Sequence, residues 1–117
     1  MSLRWHAAVV DCRDVPAQSR WWAGVLRWRI AEEDAYGVVT VVPPDGGTGL
    51  MFQPVPAGYP LRNRLYLALD PDGGQAAEIA RLEALGAEVV AVGEGDVDWV
   101  IMADPEDNGF SVLGPRG

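Results

Sequence analysis

Turn residues and helix ends recur along this chain at a nearly constant interval. Asp11 and Asp70 close two strand-like segments 59 positions apart, and Leu26 and Leu85 close two helix-like segments at the same interval. Glu33-Asp34 and Glu94-Gly95 fall in turns 61 positions apart, as do Pro44-Asp45-Gly46 and Pro105-Glu106-Asp107. Such recurrence is the signature of a duplicated supersecondary unit. A chain of 117 residues has room for one hydrophobic core of ordinary size, so the copies are read as halves of one domain over 1–117. The first module covers about 3–54, a Pro/Gly-rich linker about 55–62, and the second module about 63–114.

Within each copy the same order of elements is predicted. Leu3 to Cys12 reads as a strand, Asp14 as a helix N-cap ahead of Pro16, and Ala17 to Leu26 as a helix with Trp22, Val25 and Leu26 on its inner stripe. Strands follow around Trp28 to Glu32, Gly37 to Val42 and Gly49 to Gln53. In the second copy Arg64 to Leu69 is a strand, and Asp72 is expected to cap a helix from about Gly74 to Leu85 with Ile79, Leu82 and Leu85 inward. Gly86 closes that helix, and strands follow at Glu88 to Ala91, Val97 to Met102 and Phe110 to Leu113. The fold class is therefore α+β: two βαβββ modules forming a cupped mixed β-sheet, with a helix on the outer face of each half.

Composition narrows the function. Hydrophobic residues make up 49% and charged residues 22%, which is globular rather than disordered. Nine basic residues, all Arg, stand against 17 acidic ones for a net charge of −8, so neither nucleic acid nor an anionic membrane surface is expected as a partner. A neutral or cationic small molecule is compatible with that balance. The single cysteine, Cys12, permits no intrachain disulfide and no cysteine metal cluster. Apolar runs are strand-sized, far below the ~20 residues of a membrane span, and Met1 to His6 lacks a signal-peptide layout, so a cytoplasmic location is expected.

Strand alternation sorts side chains into a row under the helix and a row facing away from it. Leu65, Leu67 and Leu69 belong under the helix, which leaves Arg64, Tyr66, Ala68 and Asp70 on the concave side; Trp5, Ala7, Val9 and Asp11 correspond to them. Leu50 and Phe52 are core, with Met51 and Gln53 inward. Phe110 and Val112 are core, with Gly109, Ser111 and Leu113 inward. Thr40, Trp99 and Ile101 complete the inward face. The candidate ligand-binding residues are Trp5, Met51, Gln53, Tyr66, Trp99 and Ser111, an aromatic and mildly polar cleft. Asp11 and Asp70 form a symmetric strand-end pair for which capping competes with acid–base work. Trp22 and Trp28 are read as core, and Cys12 as a buried small hydrophobe.

This layout resembles the vicinal oxygen chelate superfamily, which includes glyoxalases, extradiol dioxygenases and bleomycin- or fosfomycin-resistance proteins. The resemblance rests on Val9 to Asp14, Trp21-Trp22 ahead of Val25-Leu26, Leu50 to Pro56, Asn63 to Leu67, Leu82 to Ala87 and Trp99 to Asn108, and spans almost the whole chain. It implies a homodimer and, in the enzymes, a divalent metal held by His and Glu on the inward rows of the first, fourth, fifth and eighth strands. Those positions are Ala7, Met51 or Gln53, Tyr66 and Ser111 here, with Gly109 at an additional Glu position, so no metal site and no cofactor are expected. His6 neighbours Ala7, and alternation turns it to the helix side unless the register slips. Asp107 stands where the family turn carries Gly, and Asp tolerates the left-handed backbone that such a turn needs.

The resulting expectation is a small-molecule-binding protein of the glyoxalase/bleomycin-resistance type, metal site lost, holding an organic ligand in the aromatic cleft, with a charge balance that fits a cationic one. The alternative is a glyoxalase- or dioxygenase-like enzyme (lyase, isomerase or oxidoreductase) with an atypical metal site, or with metal-free acid–base chemistry through Tyr66, Asp70 or Asp11. A third reading is a cleft without chemistry that serves assembly.

Overall fold

The structure, a computed structural model, describes residues 3–61, 65–92 and 99–114. The chain divides into two compact units, Met1–Arg64 and Leu65–Gly117. The first holds β1 (Ala7–Cys12), α1 (Val15–Leu26), β2 (Arg29–Glu33), β3 (Val39–Val42) and β4 (Gly49–Pro54). The second holds β5 (Leu67–Leu69), α2 (Gln75–Ala84), β6 (Glu88–Val92), β7 (Trp99–Ala103) and β8 (Gly109–Leu113). The sheets are ordered β1-β4-β3-β2 and β5-β8-β7-β6, each with one parallel pair, β1–β4 or β5–β8, and antiparallel pairing elsewhere. Two βαβββ modules of α+β class, each with a mixed sheet, are thus the architecture that the repeat predicts. Asn63, Arg64, Glu94, Gly95, Asp96 and Val97, which the sequence places in strands and turns, lie outside the described residues.

The duplication extends to hydrogen-bond detail. The β2–β3 ladder is shifted by a bulge between Ile30 and Glu32, and the β6–β7 ladder between Val89 and Ala91, 59 positions later. At the helix ends Trp28 N–H donates to the Ala23 carbonyl and Ala87 N–H to the Leu82 carbonyl, both at 3.0 Å and again 59 apart. In the hairpin connections Gly46 N–H donates to Pro43 and Asp107 N–H to Asp104, both at 2.9 Å and 61 apart.

Alternation places the core. Val10, Cys12, Val39, Val41, Leu50 and Phe52 are buried in the first sheet, where α1 packs on β2, β3 and β4 with Val15, Trp22 and Val25 buried. Val100, Met102, Phe110 and Val112 are the buried counterparts in the second sheet, where α2 packs on β6 and β8. The helices differ in how much they bury. On α2 only Leu82 is buried; Ile79 is half-buried and Leu85 is 44% exposed, so the expected three-residue stripe reduces to one. Short alanine side chains on Gln75–Ala84 let the helix cover little surface. Trp28 is half-buried rather than core.

Helix ends explain two further departures. Asp14 caps α1 as expected, its Oδ1 accepting Ala17 N–H at 3.1 Å, with Pro in the first turn. Asp72 does not cap α2. That position belongs to Gly74 at φ 97° and ψ 149°, a conformation that essentially only glycine adopts, and no side chain caps the helix. Gly86, at φ 101°, closes α2 as expected: its N–H donates to Glu83, and Ala87 N–H reaches back to Leu82. At the equivalent end of α1 the left-handed residue is Arg27, at φ 57°.

The segment Asp104-Pro105-Glu106-Asp107-Asn108 forms a buried polar tie. Asp104 Oδ1 accepts the N–H groups of Glu106 and Asn108 at 2.9 Å each, and the Asn108 carboxamide donates to Asp104 Oδ2 at 3.0 Å. Asn108 Oδ1 accepts the backbone N–H of Leu65 at 3.2 Å, fixing the chain just before β5. Asp107 takes φ 65°, so the turn that carries Asp in place of Gly keeps its left-handed residue.

Two stability predictions follow from these ends and ties. Arg27→Gly raises the urea-unfolding free energy by about 1 kcal/mol, because the left-handed position stops straining a Cβ. Asn108→Ala lowers it by about 3 kcal/mol, since Leu65 N–H and the Asp104 carboxylate both lose a buried partner.

Candidate functional site

The face of the first sheet away from α1 carries the odd-numbered residues of β1 and β4. Register sets Val9 beside Met51 and Met51 beside Thr40, and pairs Asp11 with Gln53. Met51, Gln53 and Thr40 are half-buried. Asp11 is only 3% exposed, and its Oδ1 accepts Gln53 Nε2 at 2.8 Å across the parallel pair. Asp70, its counterpart in the repeat, is exposed. The two strand-end aspartates therefore differ in environment, because β8 offers Leu113 where β4 offers Gln53.

On the second sheet Ala68, Ser111 and Ile101 form one row, and Trp99 pairs with Leu113 in the next. Tyr66 precedes β5 and is 61% exposed, whereas Ser111 is 7% exposed. Their hydroxyl oxygens stand 2.7 Å apart. The geometry that brings them together is the β5–β8 register: Ala68 faces Ser111, so Tyr66, two residues earlier, reaches back diagonally over it. Ile101, opposite Ser111, and Trp99, one row further along opposite Leu113, are half-buried.

Trp5 occupies a different setting from the one expected. The first strand begins at Ala7 rather than Leu3, and Trp5 lies ahead of it, 74% exposed. Since Ala7 pairs with Gly49, a strand extended back to Trp5 would need a partner near Gly47, which belongs to the turn connection between β3 and β4. His6 is likewise exposed and ahead of the strand. The sequence reading also missed that Asp11 is buried with Gln53 as its donor; the signal was the equal spacing of the two residues from the ends of their strands, which becomes a contact only once the parallel register is known.

The metal-bearing positions implied by the family resemblance can be compared with these rows. Ala7 and Tyr66 are equivalent in the repeat, and the β1–β4 and β5–β8 registers make Met51 the counterpart of Ser111. The four positions offer a methyl group, a thioether, a phenol and a hydroxyl, with no imidazole and no carboxylate, and the two oxygens are hydrogen-bonded to each other. Among the described residues no three His, Cys, Asp or Glu side chains come together. This donor set does not suit a divalent metal of the superfamily's kind. Among the described residues no helix is long and apolar enough to cross a membrane.

Comparison with known proteins places the chain. No curated protein matches it. Among solved structures it resembles TnmS3, an antibiotic binding protein from Streptomyces sp. CB03234, with a TM-score of 0.73, 18% identity and 99% of each chain covered. It is also similar to the fosfomycin resistance protein FosX from Listeria monocytogenes, a structure complexed with Mn(II) and sulfate, at a TM-score of 0.73 and 12% identity, covering 99% of this chain and 92% of that one. A glyoxalase/bleomycin resistance protein from Streptomyces sp. CB03234 matches at a TM-score of 0.63 and 18% identity, covering 93% and 99%. At these identities the likeness shows the fold alone. The family model described as the glyoxalase-like domain matches residues 7–113, and the chain belongs to that family.

Proposed function

We propose that this protein binds a small organic molecule on its open sheet faces without a metal ion. The observation that carries this reading is the Tyr66–Ser111 hydroxyl pair at 2.7 Å, which occupies two positions where the superfamily's enzymes hold metal ligands. A solvent-facing phenol ring above a buried serine, with Ile101 opposite the serine and Trp99 in the next row, is a surface for a flat or apolar group rather than for a cation's inner sphere. The likeness to an antibiotic binding protein supports the same reading. A net charge of −8 favours uncharged or cationic ligands over anionic ones, a glycopeptide antibiotic among them. The working form is a cytoplasmic homodimer, and 1–117 acts as one functional domain.

The metal-dependent form of the enzyme alternative makes the opposite demand, because its reaction depends on a metal bound through several side chains. The metal-free form, acting through Tyr66, Asp70 or Asp11, shares the metal independence and is told apart by turnover of the ligand. Native mass spectrometry of protein purified without added metal or chelator separates the metal-dependent form from the proposal. A metal-free species at twice the chain mass is expected, and calorimetric binding of bleomycin, a cationic glycopeptide, is expected to be unchanged by excess EDTA. A stoichiometric metal that EDTA removes together with binding would overturn the proposal.

A further inference from the structure

Tyr66 and Ser111 share one hydrogen bond between two hydroxyl groups, and burial decides which of them donates. No other partner for either hydroxyl is present among the described residues. If Tyr66 donated, the proton of Ser111 would be left at a site only 7% exposed with no acceptor in reach. A buried donor without an acceptor is the costly arrangement. If Ser111 donates, both protons are satisfied, because Tyr66 is 61% exposed and its own O–H can point into solvent. Burial therefore favours Ser111 as the donor and Tyr66 as the acceptor.

That direction gives the site a chemical preference. The phenol oxygen has one lone pair engaged by Ser111, and its outward O–H is polarised into a better donor by the bond it accepts. Beside it lies an apolar floor: Ala68 in the same row as Ser111 and Ile101, then Trp99 opposite Leu113. Ala68 puts no more than a methyl group next to Tyr66 on the open face. We infer that Tyr66 is a specificity-determining donor that selects ligands presenting a carbonyl oxygen on an aromatic scaffold, uncharged or cationic. Ser111 acts through Tyr66 as a positioning residue. This inference rests on the proposed ligand-binding role of the open faces and names the ligand class it would take.

Three probes of nearly equal size test it by isothermal titration calorimetry: 2-acetylnaphthalene, 2-ethylnaphthalene and 2-naphthoate. The wild-type protein is expected to bind the ketone about 2- to 13-fold more tightly than the hydrocarbon, the worth of one hydrogen bond, and to bind the carboxylate more weakly than the ketone. Tyr66→Phe should bring the ratio of ketone affinity to hydrocarbon affinity down to about one. Ser111→Ala should reduce that preference without abolishing it, because the donor stays and only its orientation and polarisation are lost. Equal binding of ketone and hydrocarbon to the wild type, or a preference that survives Tyr66→Phe, would overturn the donor assignment while leaving the binding role standing. Failure of all three probes to bind would instead overturn the binding role, and the assignment with it.

Discussion

Leu65 hangs by its backbone N–H on the carboxamide of Asn108, and the open face of the second sheet is arranged around that bond. Strand β5 is three residues long, too short to hold its own entry by ladder bonds alone. Asn108 is itself held by Asp104, whose carboxylate gathers the N–H groups of the turn around it. Tyr66 lies between the tied residue and the first residue of the strand, so its position over Ser111 follows from the turn far along the chain. The acid and amide of this segment work as carpentry, and the aromatic residue that they seat is the one that meets solvent.

The two modules share a frame and differ in what they place on it. Equal bulges, equal helix-end bonds and equal hairpin bonds recur at offsets of 59 to 61. On that frame Tyr66 stands where the first module has Ala7, and Ser111 where it has Met51. In exchange, Asp11 and Gln53 stand where the second module has Asp70 and Leu113. Each module thus carries a hydrogen-bonded polar pair linking its parallel-paired segments, Asp11–Gln53 near the ends of β1 and β4 and Tyr66–Ser111 between the residue ahead of β5 and the middle of β8. Divergence has fallen on the open rows, while the rows under the helices have kept their apolar character.

Much of the frame was legible in the sequence because it depends on local chemistry. Strand alternation separates Phe110 and Val112 from Ser111, and it separates Leu50 and Phe52 from Met51, without any knowledge of pairing. The N-cap Asp14 and the closing Gly86 carry their own signals. The residues that resisted are those whose setting depends on distant partners. Trp5 reads as strand until the register shows that the position opposite it falls in the β3–β4 connection. Asp72 has the composition of a cap, yet Gly74 takes the position because the chain needs a backbone angle that aspartate cannot reach. Leu85 keeps the helical spacing of a core residue and remains 44% exposed, since how far α2 covers the sheet is a property of packing and not of periodicity. At the candidate site, which side chains face outward was readable, and which of them bond to each other was not.

The parallel pairs have a consequence for the order in which the chain assembles. In each module the second, third and fourth strands are neighbours in sequence and zip locally, whereas β1 must find β4 and β5 must find β8 across the whole module. Loop-closure entropy sets those pairings last. The contacts Asp11–Gln53 and Tyr66–Ser111 span 42 and 45 residues and lie across these late-forming pairs. A partly folded chain can therefore hold its meanders and most of its helix without possessing either polar pair. Both polar pairs are thus properties of the finished molecule, and their presence reports that folding has reached completion.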